Sequence, residues 1–202
     1  SAASDVYKRQ ANAFRILTHQ FKGRRKGGFV MTYSMLASIV KYPFASQLAG
    51  SHGKFGFFTL EKDSYQKVAD ELGIFCKSKP GEPLRYARHP LVYMVEAADD
   101  ICYEIMDIED SHKLKILSYE ETERLLLGFF DKETQNKIKE RIKEEGVTDE
   151  NEKVVYMRAS AIGRLENECV TAFLEHEKEI LAGTFEGSLI DHILSLIHIS
   201  EP

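Results

Sequence analysis

The sequence has no tryptophan and only three cysteines among its 202 residues. Cys76, Cys102 and Cys169 are widely spaced and form no Cys-x-x-Cys pair, which favours reduced thiols over a disulfide framework or a zinc cage. No apolar run reaches 18 residues, so no segment is predicted to cross a membrane. We therefore expect a cytoplasmic protein that has no membrane partner.

The composition is that of an ordinary globular chain. It is 43% hydrophobic and 29% charged with a formal net charge of -5, which argues against disorder and does not indicate a nucleic-acid-binding protein. One local exception is the segment 22–28, which contains only lysine, arginine and glycine. This segment could contact phosphates, but a solvated loop between two helices is the favoured interpretation.

Apolar periodicity of three and four residues predicts an all-α protein. Thr32 is expected to begin a helix, Gly73 to end one, and Ser118 with Glu121 to form a capping box at the start of another. Helices are predicted over 11–21, 32–43, 63–72, 90–110, from 118 onward, 132–145 and 151–182. The glycine- and phenylalanine-rich segment 44–60 is expected to be a packed loop, since it lacks the ending of a nucleotide P-loop.

The helix that begins at Pro90 is the most informative element, and we call it the motif helix. Six apolar residues are expected to form its buried stripe: Leu91, Val95, Ala98, Cys102, Ile105 and Ile108. On a neighbouring face Asp99, Tyr103 and Asp107 follow at intervals of four, along about 12 Å of helix. A small polar ligand could lie along this row, provided that Asp99 faces a cleft and not open solvent.

Three segments resemble a known family. The segment 89–107 is similar to the last metal-binding motif of the deoxynucleoside triphosphate triphosphohydrolases, or dGTPase-like proteins, of the HD-domain superfamily. Segments 12–18 and 31–43, followed by 54–58, resemble the same family in the same order. The resemblance runs from about residue 11 to 193 and implies a multi-helix HD-domain-like bundle whose N-terminal part is missing.

The resemblance implies roles for residues of the motif helix. Asp99 corresponds to the family's later aspartate ligand of a divalent metal ion, Mg²⁺ or Mn²⁺. Tyr103 corresponds to the tyrosine that packs on the deoxyribose, and Asp107 to the carboxylate that accepts a hydrogen bond from the 3'-hydroxyl. Glu96 and Asp100 are assigned supporting roles; Asp100 sits about 100° round the helix from Asp99 and cannot face the same ion. Without the resemblance, Asp99 would be interpreted as a carboxylate paired between helices, Tyr103 as a core aromatic residue and Asp107 as a solvated charge on the helix.

Basic residues must neutralise the triphosphate. Lys41 with its neighbour Tyr42 is the first candidate, Arg158 the second and Arg15 the third. For each cation the alternative is an ion pair within the protein.

No catalytic residue of the family is assigned within this chain. It has no His-Asp dipeptide, since Asp191-His192 has the reverse order, and the family's first metal histidine and catalytic histidine-glutamate segment lie upstream of residue 11. We expect this chain alone to bind metal weakly and not to hydrolyse deoxynucleotides.

The two ends of the chain differ in character from its middle. Residues 1–10 and 194–202 resemble a translated sequencing adapter and its reverse complement, and are expected to be tails outside the fold. Residues 11–193 would then be the C-terminal portion of an HD-type triphosphohydrolase domain. The alternative is that both ends are native tails.

The function implied by the resemblance is hydrolysis of a deoxynucleoside triphosphate to deoxynucleoside and tripolyphosphate. Two alternatives stay open: a non-catalytic helical protein that responds to nucleotide or DNA, and another HD-superfamily phosphohydrolase. A homo-oligomer, commonly a hexamer, and single-stranded DNA as a partner are also implied by resemblance alone.

Overall fold

The structure, a computed structural model, describes residues 2–23, 26–50 and 53–193, with side chains from residue 10 onward. These residues form eight α-helices and pair only as three isolated β-bridges, so the predicted all-α class is confirmed. The helices are α1 (Ala2–Thr18), α2 (Tyr33–Ser38), α3 (Lys62–Leu72), α4 (Pro90–Lys113), α5 (Tyr119–Leu127), α6 (Lys132–Glu144), α7 (Glu150–Glu175) and α8 (Glu177–Ala182). None of the described helices is long and apolar enough to cross a bilayer. The tail expected at 194–202 lies outside the described residues.

Local chemistry sets several helix ends where the sequence predicts them. The Thr32 side chain accepts a hydrogen bond from the Met35 N–H at the start of α2. Ser118 and Glu121 form the expected capping box of α5, with hydrogen bonds of 3.2 and 2.8 Å. Gly73 ends α3 with φ of 64°, a left-handed conformation that glycine adopts without steric cost.

The chain divides into two compact units, of which the first comprises residues 1–96 and 176–186. In this unit α2 packs on α3, and the core is built on aromatic rings. Phe57 stacks on Tyr65 with ring centroids 4.5 Å apart, and Phe14 and Tyr86 meet the edges of Tyr65. The segment 44–60 therefore contributes to a packed core, as expected for it.

The Tyr65 hydroxyl is buried without a hydrogen-bond partner among the described residues. Burial, with a smaller contribution from Tyr86, raises the pKa of this hydroxyl. Because an unpaired buried hydroxyl costs about 1 kcal/mol or more, we expect Tyr65→Phe to be neutral or to raise the free energy of unfolding by about 1 kcal/mol. Urea unfolding of the two proteins tests this, and a loss of more than about 1 kcal/mol would show that the hydroxyl has a stabilising partner.

The second unit comprises residues 97–175 and 187–202, described up to residue 193. Helices α5 and α6 both pack on α7. The buried face of α7 is Val154, Met157, Ala161, Leu165, Cys169 and Ala172. Leu126 of α5 and Ile138 of α6 are buried as well.

The structure corrects two predicted helix faces. The buried residues of α4 are Val92, Tyr93, Ala97, Ile101, Ile105 and Glu109. Of the predicted stripe, Ile105 is buried and Ile108 half-buried, but Leu91, Val95, Ala98 and Cys102 are exposed. The prediction was wrong because α4 carries apolar residues at helical spacing on two faces, and periodicity alone does not select between them. In α7 Leu165 and Cys169 are buried as predicted and Ile162 and Phe173 are half-buried, but Val155 and Ala159, which were also predicted to be buried, are exposed.

The bounds of three helices also differ from the prediction. Helix α2 ends at Ser38, before the predicted end at residue 43. The first helix runs from residue 2 to 18, earlier at both ends than the predicted 11–21. The long helix predicted over 151–182 is two helices, since α7 ends at Glu175 and α8 begins at Glu177. His176 between them has φ of -101° and ψ of 10°, outside the helical range.

Candidate nucleotide site on helix α4

The row Asp99, Tyr103 and Asp107 lies on one face of α4 in the second unit. All three side chains are exposed, and Tyr103 is 64% exposed. The intervals of four residues keep them on one side of the helix, as the sequence implies. Within this chain, Asp99 therefore faces solvent, whereas the proposed role expected it to face a cleft.

The exposed row is not an ordinary solvated helix face. Apolar or weakly polar side chains alternate with it, since Ala98, Cys102 and Met106 are also exposed and lie one residue before each member of the row. On the opposite side of the same helix, Ile101 and Ile105 are buried. A helix that is apolar on two sides is typical of one that is covered on both.

Asp100 faces another direction. Burial, followed by the carboxylate charges of Glu168 and then Asp100, raises the pKa of the Cys169 thiol on α7 to about 11. Asp100 also raises the pKa of Glu104, for which burial is the larger cause. Asp100 is half-buried and is near these groups, away from the exposed row.

Lys41 and Tyr42 lie in the first unit, where Lys41 forms an ion pair with Glu96. Arg88 contacts the other carboxylate oxygen of Glu96 at 3.4 Å, and the Glu96 side chain is only 8% exposed. The Tyr42 ring has two ammonium groups near it, with Lys41 Nζ 5.9 Å and Lys54 Nζ 5.4 Å from the ring centroid. Of the predicted residues, the structure brings together Lys41, Tyr42 and Glu96.

Arg158 is held by a buried carboxylate in the second unit. Its Nη1 donates to Glu109 Oε2 at 2.5 Å, and Lys113 contacts Glu109 Oε1 at 2.9 Å. Glu109 is 2% exposed. Burial acts to raise the pKa of Glu109, but the hydrogen bonds and positive charges of Lys113 and Arg158 outweigh it, so the pKa is lowered. One terminal nitrogen of Arg158 is therefore engaged by this carboxylate.

Arg15 is also paired. Its Nε donates to Glu61 at 2.8 Å, and its guanidinium lies 4.1 Å from the centroid of the Phe58 ring. These contacts form one side of an open cleft of about 560 Å³ in the first unit, also lined by Ile16, His19, Phe21 and Leu60. The arrangement matches the alternative that Arg15 serves an ion pair within the protein.

Sequence comparison relates this chain to named proteins. It is 35% identical over 192 residues to the deoxyguanosinetriphosphate triphosphohydrolase-like protein of Pseudomonas aeruginosa (strain LESB58), covering 91% of this chain and 41% of the relative. It is 36% identical over 196 residues to the protein of the same description in Synechocystis, covering 93% and 42%. The chain is related to the dGTPase-like proteins. No family model matches it.

A third relative is named as a deoxyguanosinetriphosphate triphosphohydrolase, without the suffix "-like protein". The deoxyguanosinetriphosphate triphosphohydrolase of Yersinia pestis (strain Pestoides F) is 26% identical over 179 residues, covering 80% of this chain and 34% of the relative. The chain thus spans about two fifths or less of the length of these curated relatives. The similarity extends over 80–93% of this chain but over only 34–42% of each relative.

The described residues of this chain do not by themselves fit a divalent cation. Such an ion takes several oxygen or imidazole ligands, and no three His, Cys, Asp or Glu side chains within the described ranges converge to hold one. Asp99 offers a single carboxylate from an exposed helix face.

Two residues of these networks were not predicted from the sequence. Glu109 follows Ile105 by one turn on the buried side of α4, and a carboxylate in an apolar stripe is a signal for a paired cation. Arg88 precedes the motif helix, and nothing local in the sequence indicates its partner. The basic segment 22–28 lies partly outside the described residues; Lys22 and Lys26 are exposed.

Proposed function

We propose that this chain is part of a metal-dependent deoxynucleoside triphosphate triphosphohydrolase acting on dGTP-like substrates. The observation that carries the proposal is the similarity to proteins named dGTP triphosphohydrolase-like over about nine tenths of the chain, at 35–36% identity. In this reaction water attacks the α-phosphorus, the bond from that phosphorus to the sugar 5'-oxygen breaks, and deoxynucleoside and tripolyphosphate are released.

In this proposal the exposed row of α4 becomes one wall of the nucleotide site. Asp99 supplies one carboxylate to a divalent cation, Mg²⁺ or Mn²⁺, whose other ligands come from parts of the protein outside this chain. Tyr103 packs on the deoxyribose and Asp107 accepts a hydrogen bond from the 3'-hydroxyl. The two-sided apolar character of α4 supports this, because further parts of the protein would cover the face that is open here.

Lys41 and Tyr42 are proposed to bind the phosphates. Lys41 is the first candidate among the cations, because it lies in the segment 31–43 that resembles the family and beside Tyr42, whose ring has the Lys54 ammonium near it as well. Arg158 and Arg15 are retained as the second and third candidates, and all three cations pair with a carboxylate of this chain. Assembly into a homo-oligomer and binding of single-stranded DNA rest on the family resemblance alone.

The proposed function is tested on the complete protein that contains this chain. Incubated with dGTP and Mg²⁺ or Mn²⁺, it is expected to release one tripolyphosphate for each deoxyguanosine, resolved by anion-exchange chromatography. Release of pyrophosphate or orthophosphate instead would indicate another HD-superfamily reaction. Tight binding of dGTP without turnover would favour the non-catalytic alternative.

Tyr103→Ala in the complete protein tests the sugar-reading role. Because the ring leaves no room for a 2'-hydroxyl, its removal should raise the ratio of kcat/KM for GTP to kcat/KM for dGTP by about tenfold or more. Tyr103→Phe is the matched control and should retain discrimination, since it keeps the ring and loses only the hydroxyl. An unchanged ratio in Tyr103→Ala would remove this role from Tyr103.

A further inference from the structure

The Glu96 carboxylate has a different cation on each oxygen. Lys41 Nζ pairs with Oε1, and Arg88 Nη1 lies 3.4 Å from Oε2. The Glu96 side chain is 8% exposed, whereas Lys41 is 30% exposed. The lysine therefore sits at the open side of the pair and the carboxylate at the closed side.

Arg88 is fixed by contacts that do not involve the Lys41 ammonium. Its Nε donates to the Lys41 backbone carbonyl at 3.1 Å. Its guanidinium carbon lies 5.5 Å from the centroid of the Tyr93 ring, and Tyr93 is itself buried and donates to the Phe185 carbonyl at 3.1 Å. Movement of the Lys41 side chain would leave these contacts in place.

The second cation on Glu96 lowers the cost of losing Lys41. A carboxylate buried to this degree and left without a partner is strongly destabilising. If Lys41 were the sole partner of Glu96, an anion that drew Lys41 away would leave the buried carboxylate unpaired. The free energy of binding that anion would then have to offset this cost. With Arg88 in place, Glu96 keeps one partner when Lys41 leaves.

We propose that Lys41 is a transferable cation, which leaves Glu96 for a bound phosphate group, and that Arg88 is the positioning residue that makes the transfer possible. The inference rests on the proposed function, in which Lys41 and Tyr42 bind phosphate. The ligand class is an oligophosphate, either the chain of a nucleotide or free tripolyphosphate. The proposed binding position of the phosphate group is beside Tyr42, because the ammonium groups of Lys41 and Lys54 both lie within 6 Å of its ring centroid.

The test measures the dissociation constant of inorganic tripolyphosphate by titration calorimetry in the complete protein. Lys41→Gln should weaken binding by about tenfold, because it removes a direct phosphate contact. Arg88→Gln should also weaken it by about five- to tenfold without touching the anion, because Glu96 then retains Lys41. Arg88→Lys should weaken it less, since the lysine still pairs with Glu96.

The decisive variant is the double substitution Arg88→Gln with Glu96→Gln. Once the carboxylate is neutral, Lys41 is released, so the double variant should bind tripolyphosphate within about twofold of the parent although Arg88→Gln alone does not. A double variant as weak as Arg88→Gln would show that Arg88 only supports the fold, and would overturn the proposal. So would a parent that does not bind tripolyphosphate.

The outcome is separable from that of the proposed function. The expected binding pattern without any release of tripolyphosphate from dGTP would refute the hydrolase and leave the transfer of Lys41 standing. Hydrolysis of dGTP with no change of affinity in Lys41→Gln would refute the transfer and leave the hydrolase standing.

Discussion

Asp99→Asn in the complete protein is expected to lower kcat for tripolyphosphate release from dGTP by about a thousandfold or more. In the proposed site Asp99 is the ligand that this chain offers to the divalent cation, and hard cations prefer anionic oxygen to a neutral amide. The substitution keeps the size of the side chain, and in this chain alone, where Asp99 is exposed, the free energy of unfolding should change by less than about 0.5 kcal/mol. The measurement is steady-state kinetics with a urea unfolding curve for each protein.

The matched control is Asp110→Asn. Asp110 is exposed on the same helix, about 16 Å from Asp99 along its axis, and its substitution makes the same change of charge. We expect kcat within about twofold of the parent, since Asp110 contacts neither cation nor sugar in the proposed site. An Asp99→Asn protein that kept parental activity would refute the metal-binding role of Asp99.

Arg158→Met is expected to lower the free energy of unfolding of this chain by about 3 kcal/mol at neutral pH. It removes the 2.5 Å partner of Glu109, whose carboxylate is 2% exposed, and leaves this buried charge with Lys113 alone, an exposed cation whose attraction is screened by solvent. Lys113→Met is the matched control. Because Lys113 is 54% exposed, its ion pair with the same carboxylate is screened by solvent, and the loss should be about 1 kcal/mol or less.

The pH dependence of this loss follows from the lowered pKa of Glu109. A carboxyl whose pKa is lower in the folded state stabilises the fold above its unfolded value of 4.5, and this contribution disappears as the pH falls through the folded pKa. The stability difference between parent and Arg158→Met should therefore be full at neutral pH and shrink in acid. If the Arg158→Met protein had parental stability, Arg158 would not stabilise the fold through Glu109, and its predicted contact with phosphate would be favoured.

Helix ends could be predicted from the sequence because their chemistry is local. Thr32, Gly73 and the pair Ser118 and Glu121 act on backbone groups within three or four residues, and each does what its position predicts. Helix faces were less predictable. In α4 the apolar residues support two faces equally well, and tertiary packing buries the face of Ile101 and Ile105, not that of Ala98 and Cys102.

The partners of the candidate cations could not be predicted, because no local pattern encodes them. Arg15 and Arg158 find their carboxylates 46 and 49 positions away in the chain. Only the position of Glu109, a carboxylate one turn after a buried isoleucine, indicated that a cation must meet it. The direction of the row Asp99, Tyr103 and Asp107 followed from helix geometry, whereas its exposure in this chain did not.

The most direct test of the central claim is a crystal structure of the complete protein with a non-hydrolysable dGTP analogue. We expect the Tyr103 ring to pack on the deoxyribose, the Asp107 carboxylate to accept a hydrogen bond from the 3'-hydroxyl, and Asp99 to contact the metal ion. An analogue bound elsewhere, with this face of α4 still open to solvent, would contradict the account.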